Sequence, residues 1–318
     1  MKYVEPLTEK LTVTKDGNTF EKTIYKKFTS LSGVTDEDYP IYDDSATYNT
    51  GDYVIVDELK TIYRCAADNT SGKFPPAYPD LWVDYGFVNS YKMLSTDEQI
   101  GSQTTSNEKD ITLEFEFNSC DSIGIINVRF VTLKIEEHDE DDNLVYEKEI
   151  SGRDYGADDF NEYFYSPFGE KTRIILTDLV WLPQGKLKLT FSRSNDAFTT
   201  KIGTIVMGLL ENLGVTLTGS KLGFQDKSKI QTDTFTNTRK VVRYGHIREI
   251  RAKILTFSEE FNTVADKINM IIGKNVLFVP TKNEKFLEMT NIAYIENADL
   301  PIENCVVNDS NLTLIGVI

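Results

Sequence analysis

The sequence contains very little cysteine, and the few thiols are widely spread. Three cysteines occur in 318 residues, at Cys65, Cys120 and Cys305. An odd number of such distant positions excludes a disulfide framework and a zinc cage, because both need cysteines in pairs or close groups. We therefore expect each thiol to be a small, buried hydrophobic group.

Motifs that bind phosphate or carry out hydrolysis are also missing. The chain has two histidines, His138 and His246, and no glycine-rich phosphate loop, CxxC pair, HExxH or GxSxG. These absences argue against a metal hydrolase and a serine triad. Carboxylates that suit a glycosidase pair occur in one stretch, at Asp154, Asp158, Asp159 and Glu162. With 50 acidic residues such groups arise by chance, so the sequence predicts a protein that is not an enzyme and uses no cofactor or metal.

A basic surface and a long apolar run are absent as well. Acidic residues outnumber basic ones by 50 to 34, and the formal net charge is -16. Nucleic-acid binding needs clustered basic groups, so a nucleic acid is not an expected partner. No window approaches the roughly 20 apolar residues that cross a bilayer. The first residues also lack the apolar core of a secretion signal. We expect assembly in a cytosol without membrane insertion.

What is present is a series of short strand patterns separated by polar turns. Residues 1–37 predict a terminal hairpin, with its turn at Asp16–Gly17, followed by an acidic linker at residues 35–38. This hairpin is either an arm that docks on another molecule or an ordinary edge hairpin. Residues 38–94 predict a small, aromatic-rich β module, and the polar residues 95–110 predict a second linker.

The rest of the chain continues this mainly β pattern. Residues 111–220 contain strand after strand, as in an antiparallel β-sandwich or jelly roll. Residues 221–318 predict an α+β domain with one helix on a sheet. Apolar residues at helical spacing place that helix at Phe257–Ile272. Thr256 with Glu259 predicts a capping box, and Gly273 predicts the C-terminal cap.

The acidic run Glu136–Asn143 looks at first like a calcium loop. An EF-hand needs glycine at the sixth position and glutamate at the twelfth. Counted from Asp139, these positions hold Leu144 and Ile150. Because the run lies between two strand patterns, it predicts a solvated hairpin tip.

Aromatic residues are concentrated in Tyr42–Tyr91, interleaved with glycine and proline turns. This stretch resembles the small chitin- and cellulose-binding modules of the type 3 chitin-binding family. The resemblance is carried by Tyr42, Tyr48, Gly51, Asp52, Val54, Tyr63, Cys65, Ala66 and Trp82. Where the family typically presents adjacent tryptophans, this chain has Ala67-Asp68-Asn69.

This resemblance implies a carbohydrate-binding module in which aromatic rings hold a sugar. The candidate sugar-binding residues are Tyr48, Tyr63, Trp82 and Tyr85. The alternative is that the same rings form the core of a module too small to have another one.

A second resemblance extends beyond the aromatic stretch. The order of residues in Tyr78–Leu94 and Gly101–Thr105 is similar to a recurring pattern in tailed-bacteriophage structural proteins, and Leu222–Asp226 continues it. The resemblance implies a virion protein of the tail tip, baseplate or fibre-attachment region. Its implied partners are other phage tail proteins, further copies of the chain in a trimer or hexamer ring, and a host cell-surface glycan.

Two functions from different classes follow from these observations. The first is a non-enzymatic structural protein of a phage tail with a role in host-surface binding. The second is a free carbohydrate-binding protein or the accessory module of a polysaccharide hydrolase. A glycosidase that uses the Asp154–Glu162 cluster is a third hypothesis.

Overall fold

The computed structural model describes residues 1–96, 102–154, 169–193, 199–226, 228–232, 239–242, 246–281, 284–302 and 306–316. Its contacts divide the chain into two units. The N-terminal unit is Pro6–Leu209, and the C-terminal unit combines Met1–Glu5 with Leu210–Ile318. No helix in the described part of the chain is long and apolar enough to cross a membrane.

The chain is mainly β, as the sequence predicts. The strands up to residue 126 are β1 (Lys2–Pro6), β2 (Thr8–Lys15), β3 (Asn18–Tyr25), β4 (Ser30–Ser32), β5 (Thr47–Tyr48), β6 (Tyr53–Val56), β7 (Thr61–Cys65), β8 (Thr70–Ser71), β9 (Trp82–Phe87), β10 (Thr104–Ser106), β11 (Asp110–Phe117) and β12 (Ser122–Ile126). The later strands are β13 (Thr132–His138), β14 (Leu144–Ser151), β15 (Arg153–Asp154), β16 (Gly169–Glu170), β17 (Arg173–Leu176), β18 (Gly185–Ser192), β19 (Thr200–Ile202), β20 (Thr204–Asn212), β21 (Val215–Thr216), β22 (Lys221–Asp226), β23 (Lys229–Thr232), β24 (Arg239–Val242), β25 (His246–Phe257), β26 (Val276–Val279), β27 (Asn291–Asp299) and β28 (Val307–Gly316). An α-helix spans Phe261–Ile271, and short 3-10 helices span Asp57–Leu59, Pro75–Ala77, Asn89–Leu94, Ser258–Glu260 and Glu284–Met289.

Two antiparallel sheets of the N-terminal unit share one hydrophobic core. One sheet has the order β14-β13-β18-β11-β4, and in the other β12 lies between β17 and β20. In β11, Ile111, Leu113 and Phe115 are buried because alternate side chains of a strand point to the same face. Ile125 and Met207 of the second sheet belong to the same cluster. This β-sandwich-like body is the architecture that the sequence predicts.

The acidic run forms the predicted hairpin tip between β13 and β14. The carboxylate of Asp139 accepts hydrogen bonds from the backbone N–H groups of Asp141 and Asn143, at 3.0 and 2.8 Å. These local bonds close a turn, and the surrounding residues are exposed. No group of three His, Cys, Asp or Glu residues in the described ranges is placed to hold a metal ion.

The predicted N-terminal hairpin is present and packs on the chain's own aromatic module. β2 and β3 pair along their whole length around the predicted turn at Asp16–Gly17. The ring of Phe20 lies 5.7 Å from that of Phe74, and Lys22 forms an ion pair with Asp84. These contacts make the hairpin part of the N-terminal unit.

The two predicted linkers are more ordered than their polar composition indicates. Asp36 accepts a hydrogen bond from the backbone N–H of Ser90 at 2.6 Å, and Glu37 accepts one from that of Asn89 at 2.8 Å. In the second linker, β10 pairs with β19, while residues 97–101 lie outside the described ranges. Sequence composition missed these elements because their partners are distant in the chain.

The C-terminal unit is an α+β sheet with the helix packed on it. Its strands run in the order β1-β26-β27-β28-β25-β21, and β22 also pairs with β25. The helix buries Val264, Ile268 and Ile271, which recur at the predicted helical spacing.

The start of this helix differs from the prediction. β25 continues to Phe257, which pairs with Val307, and the helix begins at Phe261 without a side-chain cap. Pairing with β28 therefore overrides the local capping pattern at Thr256. Gly273 has the positive φ of 77° that suits its predicted place after the helix.

The cysteine prediction is confirmed for the thiols that the structure describes. Cys65 and Cys120 are free and buried, and burial raises the pKa of the Cys120 thiol to about 12. Cys305 lies outside the described ranges.

Candidate functional site

The aromatic module is built on a three-stranded sheet, β6-β7-β9, with two different faces. Tyr53 pairs with Arg64, and Arg64 pairs with Val83, so these three side chains share the outer face. Their neighbours Val54 and Trp82 point to the opposite, inner face and are buried. Further along the outer face, Ile55 and Ile62 are buried in the main core of the N-terminal unit, so only the end of this face around Arg64 and Val83 is exposed.

Three of the four predicted sugar-binding residues lie in that core. Tyr48, Tyr63 and Trp82 are 7%, 6% and 2% exposed. The indole N–H of Trp82 donates a hydrogen bond to the backbone oxygen of Lys73 at 2.9 Å, and its ring meets that of Tyr48 edge-on at 5.3 Å. Because other side chains cover these rings, they cannot offer a stacking face to a sugar. They pack the module in the way that the alternative interpretation of the aromatic stretch proposes.

The fourth predicted residue, Tyr85, lies on the outer face and is 58% exposed. Its ring meets that of Tyr53 edge-on at 5.2 Å, and Tyr53 stacks on Tyr39 at 4.9 Å with an angle of 18° between the rings. We call Tyr39, Tyr53 and Tyr85 the tyrosine platform. The structure thus separates Tyr85 from Tyr48, Tyr63 and Trp82 and brings it together with Tyr39 and Tyr53, which the sequence pattern does not predict as binding residues.

A β-bulge places Tyr85 on the platform. Ile62 pairs with Gly86 and Tyr63 pairs with Asp84, which leaves Tyr85 as the extra residue of β9. Gly86 has a φ of 109°, a backbone conformation that residues with a Cβ atom rarely adopt. Bulges of this kind change the direction of a side chain and are frequent next to functional sites.

Backbone hydrogen bonds hold Tyr39 beside Tyr53. The segment that follows Tyr39 runs parallel to β6, because the N–H of Ile55 donates to Pro40 and the N–H of Tyr42 donates to Ile55, both at 2.9 Å. Just before Tyr39, Glu37 is bound by Asn89. Hydrogen bonds of the residues before and after Tyr39 therefore hold it in place.

Apolar and cationic groups extend the tyrosine platform. Val83 and Ile41 are 53% and 64% exposed. The guanidinium carbon of Arg64 lies 5.9 Å from the centre of the Tyr53 ring, a cation–π distance. Such a surface can stack a flat or ring-shaped ligand on apolar faces and offer hydrogen-bond donors beside it.

A groove on the other side of the module contains two of the predicted residues but little accessible ring surface. It has a volume of about 420 Å³. It is lined by Thr19, Phe20, Glu21, Lys22, Leu59, Tyr63, Pro75, Pro76, Pro79, Trp82 and Asp84. Trp82 and Tyr63 are almost fully buried, and Lys22 and Asp84 form an ion pair with each other. The tyrosine platform is therefore the stronger candidate for a stacking site.

A cavity of about 710 Å³ in the C-terminal unit is lined mostly by apolar groups, including Val215 and Phe286. Two of its hydroxyl groups already donate hydrogen bonds to the backbone, from Thr216 to Pro280 and from Ser220 to Leu217. These hydroxyls therefore have less capacity to orient a ligand.

Most of the predicted glycosidase cluster lies outside the described ranges. Asp158, Asp159 and Glu162 are not described, and of Asp154 only the backbone is described, in the short strand pair β15-β16.

Comparisons of this chain with family models, curated proteins and solved structures find no match.

Proposed function

We propose that the chain is a non-enzymatic structural subunit of a tailed-phage virion whose tyrosine platform binds a glycan on the host surface. Its place is the tail tip, baseplate or fibre-attachment region. Its partners are other tail proteins, further copies of itself in a trimer or hexamer ring, and the glycan. The virion assignment is supported by the sequence pattern in Tyr78–Leu94.

The observation that carries the binding proposal is the exposed tyrosine platform. Tyr85 exposes 58% of its surface next to the stacked rings of Tyr53 and Tyr39. A pyranose presents C–H groups that pack well on such ring faces. The strand backbone and the bulge hold the rings in place, so ordering the rings on ligand binding costs little free energy.

The binding experiment uses the purified chain and polysaccharide extracted from the envelope of host cells. Replacing Tyr85→Ala removes an exposed ring and is expected to weaken binding about tenfold, or by about 1.4 kcal/mol. The matched control is Tyr78→Ala, because Tyr78 is also exposed on the module but has no ring contact with the platform. Binding that survives Tyr85→Ala unchanged would remove the platform from the site.

The virion assignment has its own test. The chain should be present at a constant copy number in purified particles analysed by mass spectrometry. It should also sediment as a trimer or hexamer, alone or with a neighbouring tail protein. A chain that is absent from particles yet binds the polysaccharide would favour the second function, a free carbohydrate-binding protein or an accessory module of a polysaccharide hydrolase.

A further inference from the structure

Most basic side chains of the hairpin and aromatic module are neutralised by acidic partners. The ion pairs are Lys10–Glu21, Lys15–Asp44, Lys22–Asp84, Lys26–Glu9, Lys60–Asp57 and Lys92–Glu37. Among the described residues, Arg64, Lys27 and Lys73 form no ion pair with a carboxylate, and of these Arg64 is the one that lies over a ring of the tyrosine platform. In a chain with a net charge of -16, this cation beside the tyrosine platform is a specific feature of the surface.

The position of Arg64 suits ligand binding. It lies in β7 between Tyr53 and Val83 in the strand register, and its side chain is exposed. Its guanidinium group approaches the ring of Tyr53, which limits the orientations it takes. The group has five N–H donors in a planar fork that matches a carboxylate or a phosphate in a two-point contact.

We infer that the glycan of the tyrosine platform is anionic, and that Arg64 binds its carboxylate or phosphate group while the tyrosine rings stack on the adjoining sugar. This inference rests on the proposed glycan-binding function and specifies the ligand class for the same site. A neutral sugar would use the rings and leave the guanidinium group without an anionic partner. Arginine suits this role better than lysine because its donors are fixed in one plane.

The experiment compares three probes by titration calorimetry on the full chain: a galactan oligomer, a galacturonan oligomer with a carboxylate on each sugar, and a galactosyl-phosphate oligomer with a phosphate between the sugars. We expect at least one anionic probe to bind about tenfold more tightly than the galactan at low salt. The preferred anion identifies the source of the charge. The preference should decrease as salt is added, because salt screens an exposed charge.

Two variants assign the preference to one side chain. Arg64→Gln is expected to remove the tenfold preference, and Arg64→Lys to recover only part of it. Lys73→Gln is the matched control, because Lys73 also lies over a tyrosine ring, at 4.7 Å from the centre of Tyr78, away from the platform. It should leave the preference unchanged.

The outcomes separate this inference from the function on which it rests. If the galactan and both anionic probes bind equally and Tyr85→Ala weakens them all, the anionic ligand is refuted and the platform is retained. A preference that persists in Arg64→Gln also refutes the inference. If none of the probes binds and the host polysaccharide binding is insensitive to Tyr85→Ala, the proposed glycan-binding function itself fails.

Discussion

The buried carboxyl group of Glu137 gives a quantitative test of the fold. Glu137 lies on β13, is fully buried, and accepts a hydrogen bond from the backbone N–H of Val180 at 3.0 Å. Its Oε1 atom is buried without a hydrogen-bond partner in the described residues. Burial raises the pKa of this carboxyl group from 4.5 to about 7, because desolvation disfavours the charged form.

This shift makes the stability of the N-terminal unit depend on pH. The unfolded chain releases the Glu137 proton near pH 4.5, whereas the folded chain holds it up to about pH 7. Between these values the folded state binds more protons, so the contribution of this group to stability falls as pH rises. The pKa change corresponds to a loss of about 3 kcal/mol from pH ~4 to pH ~8.

The variant Glu137→Gln removes this titration and keeps a side-chain oxygen for the N–H of Val180. Both tryptophans, Trp82 and Trp181, lie in the N-terminal unit, so their fluorescence during urea unfolding reports on that unit. Relative to the unsubstituted protein, the variant should gain about 3 kcal/mol between pH ~4 and pH ~8. The cost of burying the new amide is the same at both pH values and cancels from this comparison.

The adjacent Glu136 provides a control of opposite sign. The hydrogen bond from Lys134 lowers the pKa of the Glu136 carboxyl group, so its charged form contributes stability as pH rises through that pKa. Glu136→Gln should therefore lose stability at high pH relative to low pH. If Glu137→Gln and the unsubstituted protein showed the same pH dependence, the reasoning about a buried, protonated Glu137 would be refuted.

Three further predictions concern packing and hydrogen bonding. Trp82→Ala should destabilise the N-terminal unit by about 3–5 kcal/mol, whereas Tyr85→Ala should change its stability by less than about 0.5 kcal/mol. Urea unfolding followed by Trp181 fluorescence measures both changes. Equal effects of the two substitutions would contradict the assignment of Trp82 to the inner face and Tyr85 to the outer face. Asn89→Ala should lower the free energy of unfolding by about 2 kcal/mol or more in the same assay. The reason is that the Asn89 side chain forms hydrogen bonds with the backbone oxygen of Thr35 and with both backbone groups of Thr105. A decrease of less than about 0.5 kcal/mol would contradict this role. Ile268→Ala should destabilise the C-terminal unit by about 2–5 kcal/mol, measured by circular dichroism in urea, and an unchanged midpoint would show that the helix does not pack as described.

The sequence predicts the longer strands because each of them has a local signal. The alternation of apolar and polar residues in Asp110–Phe117 predicts which positions of the strand are buried. The turn at Asp16–Gly17 is predicted from those two residues alone. The pairing of β1 with β26 has no such signal, because it joins residues at opposite ends of the chain. The order of the acidic linker at Asp36 has no local signal either, because its partner Ser90 is distant in the chain.

The candidate site is predictable in part from the same alternation. Tyr53 and Val54 are adjacent in a strand, as are Arg64 and Cys65, so the two members of each pair point to opposite faces of the sheet. Applied strictly, this rule separates Arg64 from the buried Tyr63. It cannot find Tyr39, which reaches the platform through hydrogen bonds of the neighbouring segment to Ile55.

The most direct test of the proposed function is the rate at which phage particles adsorb to host cells when every copy of this chain carries Tyr85→Ala. We expect normal particles in electron micrographs and adsorption about tenfold slower. Particles with Tyr78→Ala should adsorb at the unsubstituted rate. Unchanged adsorption by the Tyr85→Ala particles would contradict a host-binding role of the tyrosine platform.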